Sequence, residues 1–578
     1  MGSKSKYEAI SELARRRGFF WQSFEIYGGM SGFIDLGPLG SKLKHKLEGA
    51  WRDFFIKRGG IYEVSTPIIN PKMVFQASGH LESFKDPMVE CLKCGRKYRA
   101  DHLLEGASGA KFEAMDLGSI DAEIDARGLA CPECGGKLSK SRYFLTMFET
   151  TIGPYSEAVG YARPETAQGI FMDFKRLYEI ARGKLPFGVA QIGKALRNEI
   201  SPRQGPIRLR EFTLMEIEFF FDPEEECGAL GEVEDEVIRL VPAGLRERGI
   251  EEPIERSVGE AVREGIIING WLGFFMAKSK EFICGLGIPE EKQKFHEKLP
   301  KERAHYSAQT FDHEVLLEDW GWVEIAGHAY RTDYDLSRHG EFSGQELRAF
   351  KAYERPKVKE VVRMVPNEGG MKEAFGEKYE AIVEALMRAG PEEVKRSMES
   401  KGHFEALGER VGPEHVSFKS VEVKEAGRRF VPHVVEPSFG LERIMYATLE
   451  HSYSIREDRV VLRLPKGIAP IQAVVLPLLN REDLERKAKS LWKALLGMGF
   501  DAEYDDSGSI GRRYARADEI GIPVAITIDP RSLMDDTVTL RERDSWKQVR
   551  VGAEEVPECL RGYLAGDLGF EEMGGSTS

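Results

Sequence analysis

A chain of 578 residues, 42% hydrophobic and 31% charged, is too long for one core and ordinary enough in composition to form several globular units. Its net charge of −13 argues against a protein that coats nucleic acid indiscriminately, though not against a local basic groove. No apolar run is long enough to cross a bilayer, and MGSKSKYEAISELARRRGFFWQ lacks the apolar centre of a secretory signal, so a cytoplasmic protein with no membrane partner is expected.

Residues 7–18 and 41–58 read as helices. In the second, Leu43, Leu47, Trp51, Phe54 and Phe55 fall on one stripe at helical spacing. Gly59 and Gly60 end it, and IYEVSTPII follows as a strand closing with Pro67. Two knuckles come next, Cys91-Leu-Lys-Cys94-Gly and Cys131-Pro-Glu-Cys134-Gly. Thiolates bind zinc tetrahedrally, and a CxxCG turn aims two sulfurs at one centre, so these four cysteines predict a structural Zn2+ site in a reducing compartment. Four ordinary buried cysteines would not repeat the CxxCG pattern. The intervening EGASGAKFEAMDLGSIDAEIDARGLA reads as a helical insertion, while Cys227, Cys284 and Cys559 read as small hydrophobes.

From Leu196 to Pro223 the chain reads LRNEISPRQGPIRLREFTLMEIEFFFDP: a strand, a loop too long for a tight turn, and a long second strand. Odd positions from Leu209 to Phe221 are mostly apolar and predict a core face. Even positions put Arg208, Arg210, Glu216 and Glu218 on the opposite face, and Arg197 and Glu199 share a face of the first strand. Arginine forks match phosphate oxygens and carboxylates match an ammonium, so the face suits a ligand carrying both. Taken alone, a solvated face laced with ion pairs is the better reading of the pattern.

Residues 224–315 read as mostly charged and helical around WLGFFMAKSKEFICGLG, and GWVEIAGHAYRTDYDL (321–336) reads as a strand. The Lys/Glu-rich stretch 345–425 reads as an inserted helical module with loops, and 431–453 as strand, glycine turn and helix. After about Asp458, β and α segments alternate as in an α/β module. Its basic runs RRYARADE and RERDSWKQVR are possible RNA contacts, although such runs are usually solvated faces.

Three motifs in order carry a family resemblance. Pro67 after a long amphipathic helix resembles motif 1 of class II aminoacyl-tRNA synthetases, LRNE and RLREFT (196–199, 208–213) resemble motif 2, and GLER (440–443) resembles motif 3. RPETAQGIF (163–171), RNEISPRQGPIRLREFTLMEIE (197–218), HAYRTDYDL (328–336) and EPSFGLERI (436–444) are similar to the homodimeric glycyl-tRNA synthetases of class IIa. KLSKS at 137–141 resembles the lysine loop of class I enzymes, but no Rossmann sheet or HIGH-like partner accompanies it, and a polar strand edge leaving the knuckle is the better reading.

The resemblance implies an α+β catalytic domain with an antiparallel sheet, a zinc-knuckle insertion and a C-terminal α/β anticodon-binding domain. Its division is 1–90 (motif 1), 91–142 (zinc insertion), 143–223 (motif 2), 224–315 (helical insertion), 316–344 (core strands), 345–427 (acceptor-stem insertion), 428–457 (motif 3) and 458–578 (anticodon domain). It implies catalysis by Arg197, Glu199 and Arg443, with Asn198, Ile207, Arg208, Leu209, Phe212, Glu324, Ile325 and Gly440 completing the ATP site. Arg197 grips the α-phosphate, Glu199 addresses the adenine side and Arg208 holds the terminal phosphates. Phe212 and Arg443 sandwich adenine, and Glu324 helps carry Mg2+. Glycine is implied to lie among Glu165, Glu216, Glu436 and Ser438, beside Phe212, with Arg331 on its carboxylate and Arg99 lining the region. Three acceptors satisfy an ammonium, and walls of glutamate and serine leave no volume for a methyl group. The expected partners are ATP, glycine, tRNA(Gly) and a second copy of the chain. Alternatives are a prolyl- or threonyl-type class IIa enzyme, or a catalytically silent synthetase-like RNA-binding protein.

Overall fold

Helix Pro38–Trp51 turns the predicted stripe into the anchor of the main core. Proline at its first turn supplies a preset φ, and Gly40 is required there because a Cβ would lie 1.8 Å from the Phe19 carbonyl oxygen. Leu43, Leu47 and Trp51 are fully buried, and the helix continues through a π turn, Arg52–Lys57, that carries Phe55 inward. Phe55 meets Phe439 and Phe282 at 5.1 and 5.5 Å between ring centroids. The preceding helix, Lys6–Arg17, starts on a capping box between Ser5 and Glu8. The structure, a computed structural model, describes residues 4–108, 115–154, 157–202 and 205–576.

That core packs on a nine-stranded, mostly antiparallel sheet. Its strands are β1 (Tyr62–Glu63), β2 (Phe187–Leu196), β3 (Glu211–Phe221), β4 (Val237–Val241), β5 (Ile254–Ser257), β6 (Gln293–Glu297), β7 (Gln309–Leu317), β8 (Gly321–Thr332) and β9 (His433–Gly440). Their spatial order is β5-β4-β6-β7-β8-β9-β3-β2-β1, with parallel pairing only at β1–β2 and β4–β6. Met215, Ile217, Phe219 and Phe221 of β3 enter the main core, as their odd spacing predicts. The even face is covered as well: Phe220 packs on Phe171 and Phe174, and Glu216 and Glu218 are 2% and 0% exposed. A solvated ion-pair face is therefore excluded.

Three expectations change. The strand expected through IYEVSTPII pairs only at Tyr62–Glu63, because Arg163 takes the carbonyl of Thr66, Pro67 has no N–H, and Ile69–Pro71 pairs instead with Val159–Ala162. Residues 224–315 are less helical than expected: they supply β4, β5, β6 and the start of β7, with one long buried helix, Gly270–Gly285, capped by Asn269. Many of the charged residues there stand in turns, and those of β6, Lys294, His296 and Glu297, are buried, so their polarity hides a strand from a reading of apolar spacing. The stretch expected as a helical insertion at 345–425 is organised around a long hairpin, Ala349–Pro366 with Val416–Phe430, whose mostly exposed strands are so rich in Lys, Arg and Glu that their period-two pattern is masked. It belongs to a separate compact unit, Arg348–Val431, whose own core joins Ile382, Leu386 and Val394 of helix Tyr379–Lys401 to Met371 and Val416.

The cysteine segment forms a small three-stranded sheet, Lys97–Arg99, Lys85–Glu90 and Arg142–Leu145, with helices Ala100–Ser108 and Leu117–Ala126. The expected helical insertion is thus seen at both ends; residues 109–114 between them lie outside the described residues, as do Arg203 and Gln204 of the loop before β3. At the C-terminus a six-stranded sheet runs Ala502–Tyr504, Ala473–Pro477, Val524–Ile528, Thr537–Glu542, Gln548–Gly552 and Gly575–Ser576, its first three strands parallel. The basic runs there are largely structural. Arg513 caps carbonyls including that of Gly508 (2.8 Å), and Arg541 forms a buried bidentate pair with Asp518 at 2.9 and 3.0 Å.

Candidate active site

One cavity of about 550 Å³ opens over the centre of the large sheet. Neighbouring strands set its floor: Glu216 of β3 pairs in register with Ser438 of β9, which in turn pairs with Gly327 of β8. Side chains two apart on a strand share a face, so Glu436, Ser438 and Gly440 all turn towards the cavity. Of the residues expected at the site, Glu165, Arg197, Glu199, Ile207, Arg208, Leu209, Phe212, Glu216, Glu324, Ile325, Glu436, Ser438, Gly440 and Arg443 line it.

The basic end is built from motif 2 and motif 3. Arg443, in the first turn of helix Leu441–Ser452, donates to the carbonyls of Ile207 and Glu324 at 2.8 Å and to the Glu324 carboxylate at 3.0 Å. The Arg197 guanidinium lies over the Phe212 ring at 5.4 Å and donates to the Pro164 carbonyl. Arg208 stands 3.6 Å from the Glu199 carboxylate. Asp312, absent from the expected set, also lines the cavity, bonded to Lys298 at 2.8 Å while its Oδ1 is buried without a hydrogen-bond partner among the described residues. Burial, reinforced by Glu324, pushes its carboxyl up to about 7.

The acidic end is a buried charge knot. Glu216 accepts from the backbone N–H and hydroxyl of Thr166, each at 2.5 Å, and from Ser438 Oγ at 2.6 Å. Arg331 is wholly buried and donates to Asp335 (2.8 and 3.0 Å), Glu436 (2.9 Å) and Glu165 (3.2 Å), with the Tyr306 ring 3.6 Å away. Glu165 also accepts from Gln168 at 2.8 Å and lies 3.3 Å from His80. Burial opposes ionisation of Glu165, yet Arg331 and His80 hold its carboxyl well below the usual range. Burial raises Glu436 to about 8 despite Arg331, with Glu165 and Glu216 adding to the effect. Burial and then Glu436 push Glu218, whose oxygens have no partner among the described residues, well above its ordinary value. Even with Glu436 and Glu218 drawn towards their neutral forms, one guanidinium faces Glu165, Glu216 and Asp335, so the pocket favours a compact cation.

Three expected residues sit elsewhere. Arg331 does not line the cavity and is closed off by its carboxylates, so it has no exposed fork for a substrate carboxylate. Arg99 is paired with Asp86 and Asp101 in the cysteine module (3.2 and 2.8 Å). Asn198 does not line the cavity either; its backbone N–H bonds the Thr146 carbonyl at 2.7 Å. Conversely, Lys298, His305, Tyr306 and Asp312 line it although they lie in the stretch expected to be helical. The family resemblance had already placed Arg331 beside Glu165, Glu216 and Glu436; Asp335, four positions after Arg331, is the member of the knot it left out.

The four sulfurs of Cys91, Cys94, Cys131 and Cys134 lie within 4.8 Å of one another. Cys91–Cys134 and Cys94–Cys131 are 3.5 and 3.7 Å apart, too far for disulfides and near the roughly 3.8 Å edge of a tetrahedron with bonds of about 2.3 Å. Gly136 keeps this cradle open, since a Cβ there would lie 2.8 Å from the Cys91 sulfur.

Residues 472–563 match a family model described as an anticodon binding domain. Over 98% of its length the chain is 48% identical to the glycine–tRNA ligase of Aeropyrum pernix, covering 98% of that protein. It is 48% identical to that of Pyrococcus furiosus (97% of this chain, 99% of the other) and 45% identical to that of Methanothermobacter thermautotrophicus (96% and 99%). The chain belongs to the glycyl-tRNA synthetases. The mixed α/β architecture and largely antiparallel central sheet fit the class II group of that family, and the C-terminal sheet is its anticodon-binding domain.

The charge knot yields a stability test. Arg331→Ala leaves buried carboxylates without their cation and should destabilise the fold by about 3–5 kcal/mol, read as a lowered melting temperature. A melting curve superimposable on the wild type would refute the role assigned to this guanidinium.

Proposed function

We propose that this cleft activates glycine with ATP and passes it to the 3′ end of tRNA(Gly). The observation that carries the reading is a single cavity with arginines at one end and an under-neutralised carboxylate cluster at the other. In the first step an oxygen of the glycine carboxylate attacks the α-phosphorus, the bond to the β-phosphate oxygen breaks, and pyrophosphate leaves. In the second, the terminal ribose hydroxyl of the tRNA attacks the activated carbonyl and AMP leaves.

No side-chain nucleophile is needed, so alignment and charge neutralisation supply the catalysis. Arg197 holds the α-phosphate, Arg208 the terminal phosphates, and Phe212 with Arg443 the adenine, while Glu199, Ile207, Leu209, Ile325 and Gly440 shape the nucleotide end. The glycine ammonium is placed against Glu216, Glu436 and Ser438, with Glu165 behind them. Arg331 acts as the counter-ion that keeps these acids together rather than as the carboxylate grip, which leaves the substrate carboxylate on the Arg197 side, where attack requires it. The polar floor of Glu216 and Ser438 supports exclusion of a methyl group.

Carboxylate oxygens of Glu324 and Asp312 suit a hard divalent ion, the orphaned Asp312 Oδ1 above all. Mg2+ bound there would offset phosphate charge. The four thiols suit a structural Zn2+. A homodimer through motif 1 is supported by exposed Ile68, Ile69 and Met73 beside Pro67. A cytoplasmic location accords with the free thiols, and no helix among the described residues is long and apolar enough to cross a membrane.

ATP–pyrophosphate exchange across the twenty amino acids tests the reading: glycine alone should support it. Proline or threonine outpacing glycine would overturn the pocket assignment, and no exchange with any amino acid would favour a silent RNA-binding protein. Glycine binding to an ionised Glu436, raised to about 8 in the free protein, must release a proton at neutral pH. Its KM should therefore fall by up to about tenfold per unit as pH rises towards about 8 and then level off; a flat profile would contradict a proton held there. Changing Cys91 and Cys94 to Ser should remove a metal that elemental analysis finds as about one zinc per wild-type chain. Zinc-free wild-type protein would end that assignment.

A further inference from the structure

The cysteine module reaches the nucleotide end through a residue with no role assigned above. Strand Lys97–Arg99 runs directly into helix Ala100–Ser108. Tyr98 on this strand places its hydroxyl 3.1 Å from the Cys131 sulfur, so the segment is fixed to the thiol cluster. On the adjoining helix, His102 Nδ1 lies 3.2 Å from Nη1 of Arg208. The Ser201 hydroxyl donates to the Lys97 carbonyl at 2.7 Å, tying the loop before β3 to the same strand.

The chemistry of this contact has one solution. A guanidinium offers only donors, so the imidazole must accept at Nδ1 and carry its proton on Nε2. Burial, aided by Arg99 and Arg208, lowers the ring to about 4 and keeps it neutral near pH 7. Arg99 has its own carboxylates, Asp86 and Asp101, and Asp101 accepts the His102 backbone N–H at 2.9 Å. Arg208, by contrast, meets a carboxylate among the described residues only at the longer 3.6 Å distance of Glu199. A neutral acceptor orients a cation without cancelling its charge. A carboxylate in the same place would orient it and weaken its hold on phosphate.

We propose that His102 is a positioning residue that aims Arg208 at the terminal phosphates of ATP, making the four-cysteine module a buttress for the nucleotide grip. This rests on the ATP role given to Arg208 above.

The test is glycine-dependent ATP–pyrophosphate exchange in the full-length protein, with KM measured separately for ATP and glycine, and with zinc content and melting temperature recorded for each variant. His102→Leu should raise the KM for ATP about tenfold, the size expected on losing a hydrogen bond to a charged group, and leave the KM for glycine within about twofold. His102→Asn, which keeps an acceptor near the Nδ1 position, should restore most of the loss. In an Arg208→Ala background His102→Leu should have no further effect on the KM for ATP. An unchanged KM for ATP in His102→Leu, or an equal penalty with and without Arg208, overturns the proposal. Should His102→Leu fail to fold, His102→Asn against His102→Asp decides: a raised KM for ATP in the aspartate variant alone supports it, and equal values overturn it. Wild-type protein that exchanges no label with glycine sinks the reading of the cleft itself; wild-type exchange with an indifferent His102 sinks only the buttress.

Discussion

Arg331 is the interaction around which the catalytic half is organised. It is wholly buried, and its donors reach Glu165 from the segment before a short helix, Glu436 from β9 and Asp335 from the helix that follows β8. Removing charge from water is costly, and a buried ion is tolerated only when its partners are close and fully engaged. This knot meets that condition for the arginine but not for all the acids, since Glu218 has no partner among the described residues. The imbalance ties stability to function: the same shortage of positive charge that costs the free protein makes a small ammonium a favourable guest.

The sheet converts that imbalance into a specific geometry. Register between β3, β9 and β8 puts Glu216, Ser438 and Gly327 side by side, and the turn from β9 into helix Leu441–Ser452 places Gly440 and Arg443 a few residues further on. Acid and base thus occupy opposite ends of one short path, because β9 contributes to both. Arg443 is braced by two backbone carbonyls, so its position is set by the protein's own backbone. Preset cations suit phosphoryl transfer, in which little covalent work is left for side chains.

The cysteine cluster extends the same logic outward. Its sulfurs hold a strand that ends at Arg99 and continues into a helix carrying His102 to Arg208 at the arginine end of the cavity. Arg99, expected beside the amino acid, spends its charge inside this module on Asp86 and Asp101. The family resemblance had placed it near the amino acid; its ion pairs hold it in the cysteine module.

Much of this was legible in the residues. Period-two spacing identified the core face of β3, helical spacing found Leu43, Leu47 and Trp51, and the paired CxxCG turns gathered four sulfurs. These signals are local, carried by residues a few positions apart. Whether the even face of β3 met water or protein was not local: it depended on Phe171 and Phe174, 49 and 46 residues before the Phe220 they cover, in a chain whose pairings only folding makes. The same holds for Arg331, whose type suggested a carboxylate grip until three acids from separate segments closed around it, and for Lys298, Tyr306 and Asp312, which lie at the cavity because β6 and β7 join the large sheet. Sequence by itself determined which residues carry charge, metal affinity and apolar periodicity, since these are properties of side chains and near neighbours. Only the tertiary structure decided which charges face a ligand and which neutralise one another, because that depends on distance and burial between remote segments.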